Sequence, residues 1–247
     1  TCINVGCIPS KSFVTSAAFS AKLDSSFEEK AKLYRKAVEK KTRLTAALRD
    51  KNYHKVADLE NADVYNGTAS FLDSRHVAVA LQGETLELEA DQIFINTGAR
   101  PFVPLIEGLS DSRRAYISET ILSLEELPKR LVIIGGGYIG MEFASIYTNF
   151  GSKVTVIQDG EVFLPREDRD IADAVAASLK ERGVRLLLST KINSVRDEET
   201  ETVVSVETPE GGERISADAV LIATGRRPNV NDLSHDAAGV ELTPRSA

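Results

Sequence analysis

The stretch Leu131-Val132-Ile133-Ile134-Gly135-Gly136-Gly137-Tyr138-Ile139-Gly140 joins a short apolar run to a glycine-rich turn. The run at 131–134 predicts a buried strand, and the G-x-G-x-x-G pattern at 135–140 predicts the start of a helix. With a second predicted strand at Lys153–Ile157, these elements form a β-α-β unit of about thirty residues. In this setting the glycines indicate a dinucleotide site. They permit a tight turn and the approach of a pyrophosphate, to which the helix N-terminus offers N–H groups.

The predicted helix after the glycine turn has two distinct faces. Four apolar residues keep helical spacing and should form its core stripe: Ile139, Phe143, Ile146 and Phe150. Tyr138 and Glu142 are four residues apart on another face, so both can point at a ligand. For Glu142 the alternative is an ordinary solvated glutamate.

The second strand of this unit is followed by the residue expected to read the ribose of the nucleotide. That position holds Gln158, 18 residues past Gly140, and Asp159 is next. Glutamine can hydrogen-bond a 2′-hydroxyl but brings no charge against a 2′-phosphate. The first arginine beyond it is Arg166, the one candidate to bind such a phosphate. The sequence therefore favours NAD(H) over NADP(H), with weak discrimination.

Both cysteines of the chain lie in its opening stretch, Thr1-Cys2-Ile3-Asn4-Val5-Gly6-Cys7-Ile8-Pro9-Ser10-Lys11. With four residues between them, they can close into a small disulfide ring. Pro9 suits the first turn of a helix, and the positive helix N-terminus together with Lys11 favours a thiolate nearby. The alternative is a pair of buried free thiols.

This opening stretch resembles the redox-active disulfide signature of the pyridine-nucleotide-disulfide oxidoreductases. These FAD flavoproteins include dihydrolipoamide dehydrogenase, glutathione reductase and mercuric reductase. The resemblance implies that Cys7 faces the flavin as the charge-transfer thiol and that Cys2 is the interchange thiol. It places Lys11 beside the flavin N5 edge, paired with Glu142, and it makes Tyr138 the cover of the nicotinamide pocket.

Composition excludes several other classes of protein. The net charge of −7 over 247 residues argues against nucleic acid or an anionic membrane as a main partner. The sequence has no apolar run long enough to span a membrane and no signal-peptide pattern at its start. Two cysteines are too few for a secreted disulfide framework, so we expect a cytoplasmic redox protein.

Periodicity predicts the remaining elements. Helices are expected at 9–21, 26–50 and 167–182, and further strands at 63–72, 76–81, 85–88, 92–96, 184–188, 191–196, 202–207 and 218–223. Gly67 interrupts the first of these strands, as a bulge or a close backbone approach would require. Helix 26–50 is rich in lysine and arginine, which indicates a solvated face or, alternatively, a docking face for an acidic partner.

Two segments, 93–101 and 220–228, share one pattern: a strand, Thr-Gly, two residues and a proline. The resemblance implies that the first closes an FAD-binding domain and that the second ends an NAD-binding domain. The residues expected on this basis to contact a cofactor are Gly67, Thr97, Gly98, Ala99 and Gly225.

We therefore predict an α/β chain with part of an FAD-binding domain at 1–104 and a Rossmann-type NAD(P)-binding domain at 105–229. The second domain should combine a parallel sheet with an antiparallel meander, and 230–247 should begin a return to the FAD domain. The predicted activity is transfer of electrons from NAD(P)H through FAD and a Cys2–Cys7 disulfide to a small disulfide or a metal ion. Stretches 147–153 and 163–172 look most like mercuric reductase and the reactive-chlorine-resistance flavoproteins that reduce copper(II). The alternatives are dihydrolipoamide dehydrogenase and a module that only binds NAD.

Several expected parts of such an enzyme do not appear in the sequence. The glycine-rich FAD loop would precede Thr1, and a later FAD-binding segment and a C-terminal interface domain would follow residue 247. We therefore expect this chain to be a piece of a longer, homodimeric enzyme. The piece by itself is not expected to retain FAD. Within this piece, 105–229 is expected to fold independently.

Overall fold

The computed structural model describes residues 2–243. Thr1 and residues 244–247, the end of the stretch predicted to begin a return to the FAD domain, lie outside the described residues. The helices are α1 (Cys7–Ala21), α2 (Phe27–Ala57), α3 (Tyr138–Asn149) and α4 (Arg169–Glu181), and short 3₁₀ turns lie at Ile121–Ser123 and His235–Ala238. The first seven strands are β1 (Thr68–Phe71), β2 (His76–Ala80), β3 (Thr85–Glu89), β4 (Ala99–Pro101), β5 (Ala115–Ile117), β6 (Arg130–Ile134) and β7 (Lys153–Ile157). The others are β8 (Arg185–Leu187), β9 (Lys191–Asp197), β10 (Thr202–Thr208), β11 (Gly211–Ala217), β12 (Ala219–Ile222) and β13 (Arg226–Pro228).

The chain divides into two compact units. The first contains residues 1–48 and 101–225, and the second contains 49–100 and 226–247. The chain passes between units at 48/49, 100/101 and 225/226, and the last two positions lie near the predicted boundaries at 104/105 and 229/230. Residues 1–48, however, belong to the same unit as the predicted NAD-binding domain. Which nucleotide each predicted domain binds stays a prediction.

The centre of the first unit is a parallel five-stranded sheet in the order β5-β12-β6-β7-β8. From β6 the chain continues to β7 and β8 on one side, whereas β12 and β5 lie on the other side. Strand β6 is therefore the point at which the strand order reverses. In open α/β sheets, ligands bind beyond the carboxyl ends of the strands at such a point.

Both faces of this sheet are covered, which explains why its strands are continuous apolar runs. Along β6, Leu131 and Ile133 pack against the helices, whereas Val132 and Ile134 pack against the antiparallel sheet β11-β10-β9. The fold class and the antiparallel meander are thus as predicted, although β11 was not foreseen.

Helices α1 and α2 share the helix-side core with α3. The rings of Phe13, Tyr34 and Phe150 meet edge to face, with centroids 5.3–6.5 Å apart. The Tyr34 hydroxyl donates to the Leu124 carbonyl at 2.8 Å and lies 3.1 Å from the Tyr147 hydroxyl. This core therefore includes side chains from 1–48, and independent folding of 105–229 stays a prediction.

The second unit contains the antiparallel sheet β1-β2-β3 and the pair β4 and β13. The predicted strand at 92–96 is wrong: this segment pairs with no strand among residues 2–243, and Phe94 is 87% exposed. A strand needs a ladder of backbone hydrogen bonds, and an apolar sequence alone does not supply one. Among the described residues, none of the helices is long and apolar enough to span a membrane.

Candidate functional site

The glycine loop between β6 and α3 has the geometry that the G-x-G-x-x-G pattern requires. Gly135 has φ +110°, a conformation that L-residues with a side chain rarely adopt. A Cβ on Gly140 would lie 2.1 Å from the Gly135 carbonyl oxygen, so this glycine permits α3 to pack against the loop. The first glycine therefore makes the turn and the last permits the packing.

Gly137 shows where a ligand fits. It is the N-cap of α3, and a Cβ built on it would meet no atom within 4 Å. Its side-chain position therefore opens into the cleft, beside the unpaired N–H groups at the helix N-terminus. A concave loop with free N–H groups and no side chain is suited to a pyrophosphate. The residues present thus fit a dinucleotide.

A cleft of about 660 Å³ extends from this loop along the carboxyl ends of the parallel strands. Its lining includes the loop residues 135–139, Gln158 and Asp159 after β7, and Thr224 and Gly225 after β12. Each of these follows the carboxyl end of a parallel strand, in a loop or, for Tyr138 and Ile139, in the first turn of α3. The cleft therefore lies at the switch point of the strand order.

Gln158 has a defined orientation in this cleft. Its Nε2 donates to the Val162 carbonyl at 3.0 Å, which assigns the opposite end of the amide to the oxygen. That Oε1 lies against Gly136, where a Cβ would come within 2.3 Å of it. Gln158 therefore presents a hydrogen-bond acceptor beside the glycine loop.

Two cations line the same cleft, Arg166 and Lys191. Sequence reasoning identified Arg166 but missed Lys191, which begins β9 and lies 33 positions past Gln158 in the chain. The Thr190 N–H donates to the Gln158 carbonyl at 3.0 Å, which holds the start of β9 beside the end of β7. No local motif signals this contact, because it depends on the pairing of distant segments.

Tyr138 lies at the rim of this cleft and is 61% exposed. Its hydroxyl donates to the Glu167 carboxylate, and this bond raises the pKa of Tyr138 above its ordinary value. Glu142, on the same helix, instead contacts α1. The two side chains predicted to point together at a ligand thus have separate protein partners.

The redox-motif cysteines lie at the N-terminus of α1. Cys7 is its first residue, Pro9 lies within its first turn as predicted, and the Cys2 carbonyl accepts the Ile8 N–H at 3.0 Å. Both thiols are free and exposed. This exposure excludes the alternative of buried structural thiols.

The pKa of the Cys7 thiol is raised, which is opposite to the prediction from the helix dipole and Lys11. Hydrogen bonding and charge repulsion from Cys2 raise it, whereas the charge of Lys11 acts in the opposite direction. Two adjacent thiols share their protons, so ionising one makes ionising the other harder. This direction belongs to the reduced dithiol.

Lys11 and Glu142 meet as the resemblance implied. The Lys11 ammonium contacts Glu142 Oε1, and the Ser10 hydroxyl lies 3.2 Å from the same oxygen. Ser10, which sequence reasoning did not single out, is 5% exposed, whereas the Lys11 side chain is 66% exposed. The helix that begins at Cys7 is therefore joined to the helix that begins the nucleotide loop.

The residues of the Thr-Gly segment and Gly67 lie in the second unit. Thr97 Oγ1 donates to the Asn229 carbonyl at 2.7 Å, and Asn229 returns bonds to the carbonyls of Thr97 and Gly98. Ala99 begins β4, which pairs with β13, so the two echoed segments end side by side. A Cβ on Gly67 would lie 2.5 Å from the Ala80 carbonyl, so this glycine permits close packing against β2.

Comparison with known proteins identifies relatives along the whole chain. The family model for pyridine nucleotide-disulphide oxidoreductases matches residues 1–247. A probable pyridine nucleotide-disulfide oxidoreductase of Escherichia coli strain K12, RclA, is 40% identical over the full chain. A mercuric reductase of Lysinibacillus sphaericus is 35% identical over 98% of the chain, and a dihydrolipoyl dehydrogenase of Bacillus subtilis is 32% identical over 99%.

Solved structures agree with these relatives. The Cu(II) complex of the HOCl-induced flavoprotein disulfide reductase RclA from Escherichia coli matches with a TM-score of 0.90 and 40% identity. It covers all of this chain, which spans 53% of that structure's chain. The chain likewise spans 53% of the length of Escherichia coli RclA, 44% of the Lysinibacillus sphaericus mercuric reductase and 53% of the Bacillus subtilis dihydrolipoyl dehydrogenase.

Proposed function

Since the chain belongs to the pyridine nucleotide-disulphide oxidoreductases, we propose that it carries the nicotinamide site and the redox dithiol of an FAD-dependent reductase. One observation carries this proposal. The helix that begins at the exposed Cys7 is joined through Lys11 and Glu142 to the helix that begins at the glycine loop. A dithiol and a dinucleotide cradle on adjoining helices suit electron transfer from one to the other.

When bound, FAD supplies a two-electron relay between the nicotinamide and the disulfide. We assign Lys11 and Glu142 to its reactive edge, and Gly67 and Thr97–Ala99 to other parts of the group. Tyr138, at the rim of the cleft, is assigned to cover the nicotinamide. Lys11 has an exposed ammonium that can serve as a hydrogen-bond donor there.

The dithiol step follows from the two exposed cysteines. Two electrons and two protons convert the Cys2–Cys7 disulfide to two thiols. The Cys2 thiolate then attacks an acceptor disulfide, forming a mixed disulfide and releasing one acceptor thiol. Cys7 attacks Cys2 in its turn, which restores the disulfide and releases the second acceptor thiol. A metal ion is the other acceptor class, taking electrons from the same dithiol.

We infer that NADH is preferred to NADPH. Gln158 presents Oε1 rather than Nε2 beside the loop, so it can accept a bond from a ribose 2′-hydroxyl but repels a phosphate oxygen. The neighbouring Asp159 adds negative charge to the cleft. Arg166 and Lys191 oppose this effect, so the preference is modest.

The decisive experiment follows NADH-driven turnover in the full-length protein that contains this chain. We expect Cys2→Ser and Cys7→Ser each to abolish reduction of a disulfide such as DTNB and of Cu(II) or Hg(II). Reduction of ferricyanide, which can take electrons without a dithiol, is the control and should survive in both variants. Wild-type disulfide and metal reduction in either variant would contradict the proposal.

The same assay separates the two alternatives. A dihydrolipoyl dehydrogenase, the activity named for the Bacillus subtilis relative, would show its highest kcat/KM with lipoamide. A module that only binds NAD would be colourless and would reduce no acceptor. We further propose a homodimeric parent enzyme in the cytoplasm, which size-exclusion chromatography and cell fractionation test.

A further inference from the structure

Ser10 occupies a buried position between the two functional helices. Its hydroxyl lies 3.2 Å from Glu142 Oε1 on α3 and 3.3 Å from the Cys7 carbonyl in its own helix. A hydroxyl has one proton to donate, and a carboxylate is a stronger acceptor than a peptide carbonyl. The Ser10 proton is therefore directed mainly at Glu142.

The Lys11–Glu142 pair alone does not fix its own geometry. The lysine side chain is 66% exposed, and exposed ion pairs hold flexible side chains weakly. Ser10 is 5% exposed and has a short side chain, so its position is determined by the packing of α1 against α3. The Ser10 hydroxyl and the Lys11 ammonium both donate to Glu142 Oε1. By fixing the position of this oxygen, the buried serine determines where the exposed lysine forms its ion pair.

We propose that Ser10 is a positioning residue that fixes the Glu142 carboxylate and, through it, holds the Lys11 ammonium relative to the Cys7 thiol. The charged or titratable groups near Cys7 are Cys2 before α1, Lys11 within α1, and Glu142 of α3, which acts through Lys11. Lys11 favours the Cys7 thiolate, and Glu142 offsets part of its positive charge. Without the serine hydroxyl, the pair loosens and the lysine charge acts more fully on the thiolate.

The test measures alkylation of Cys7 by iodoacetamide as a function of pH. A Cys2→Ser background leaves one thiol in the chain, and its thiolate displaces iodide. We expect Ser10→Ala to move the rate profile to lower pH and to raise the rate at pH 7 about twofold or more, since the rate follows the thiolate fraction. Ser16→Ala is the matched control, because the Ser16 hydroxyl donates to the Ser12 carbonyl of the same helix, at 3.1 Å. It should leave the profile unchanged.

A double variant distinguishes positioning from a general loosening of the helix. Glu142→Gln should move the profile in the same direction, and Ser10→Ala should add nothing in that background. Ser10→Thr, which keeps the hydroxyl, should restore the reference profile. An equal shift in Ser16→Ala, or an undiminished effect of Ser10→Ala beside Glu142→Gln, would overturn the inference. The relevance to electron transfer rests on the proposed function, but the alkylation test needs no cofactor, so either proposal can fail without the other.

Discussion

Two alanine substitutions in the glycine loop should separate its structural role from its binding role. Gly137→Ala and Gly140→Ala each add one methyl group within the same six-residue motif. At Gly140 the new carbon would lie 2.1 Å from a backbone oxygen, whereas at Gly137 it would enter open space in the cleft. We expect the first change to reduce stability and the second to reduce nucleotide affinity.

The expected loss at Gly140 follows from the size of the overlap. Real Cβ atoms essentially never approach another heavy atom closer than 3.0 Å, so α3 and the loop must separate by at least 0.9 Å (3.0 − 2.1). Overpacking of this kind costs about 3 kcal/mol, at the upper end of the usual range, because backbone rather than a side chain must move. The higher helix propensity of alanine offsets about 1 kcal/mol. The free energy of unfolding should therefore fall by about 2 kcal/mol.

At Gly137 the fold should tolerate the methyl group. Its φ of −83° and ψ of −175° are accessible to alanine. The loss of chain entropy in the unfolded state gains about 0.4–1 kcal/mol, which offsets the poorer N-cap preference of alanine. A methyl group in the pyrophosphate path should nevertheless weaken NADH binding at least about tenfold, or about 1.4 kcal/mol.

Urea unfolding followed by circular dichroism measures the first effect, and isothermal titration with NADH measures the second. Both experiments use the unsubstituted protein as the reference. Gly140→Ala should lower the urea midpoint, and Gly137→Ala should leave it unchanged while raising the Kd for NADH. A stable Gly140→Ala protein, or a Gly137→Ala protein that binds NADH normally, would refute the assignment of roles within the loop.

Three further changes test the chemistry of the first unit. Burial raises the pKa of Tyr34 to about 12. The contribution of the neutral Tyr34 to the free energy of unfolding is therefore fully present below about pH 10, and about 2–3 kcal/mol of it is lost as the pH rises to about 12. Tyr34→Phe should remove this loss in alkaline denaturation. Burial opposes ionisation of Asp218, but hydrogen bonds from Arg130 hold the pKa of Asp218 below its ordinary value of 3.8. Arg130→Met should cost about 1 kcal/mol at pH 7, and this cost should shrink as the pH falls below 3.8 and the carboxylate takes up its proton, as acid titration of unfolding would show. Lys191 lines the cleft as a cation, so Lys191→Ala should lower kcat/KM for NADPH about tenfold while changing that for NADH less than about twofold. Equal losses with both nucleotides would show that Lys191 does not bind the 2′-phosphate.

The sequence predicted structure best where one local pattern determines it. The β6–loop–α3 unit lies where the glycine pattern predicts it. The glycines avoid steric clashes with residues close to them in the chain or permit a backbone conformation that other residues rarely adopt. Strand 92–96 failed for the opposite reason: its apolar character indicated burial, but pairing depends on a partner that local sequence does not name. Lys191 was missed similarly, because a hydrogen bond between distant segments, from the Thr190 N–H to the Gln158 carbonyl, holds the start of β9 beside the end of β7.

The contact between the cysteine motif and the glycine-loop helix could not be predicted from either local pattern. Lys11 and Glu142 are 131 positions apart, so only the resemblance to a family predicted that they meet. The structure adds the physical cause, since Phe13 of α1 and Phe150, the C-cap of α3, pack around Tyr34 of α2 with ring centroids within 6.5 Å. These side chains carry no redox chemistry, yet their packing determines how closely α1, which begins at Cys7, approaches α3, which follows the glycine loop. A substitution such as Phe13→Ala should therefore disturb the Lys11–Glu142 contact as well as stability, and the two effects should appear together because one core produces both.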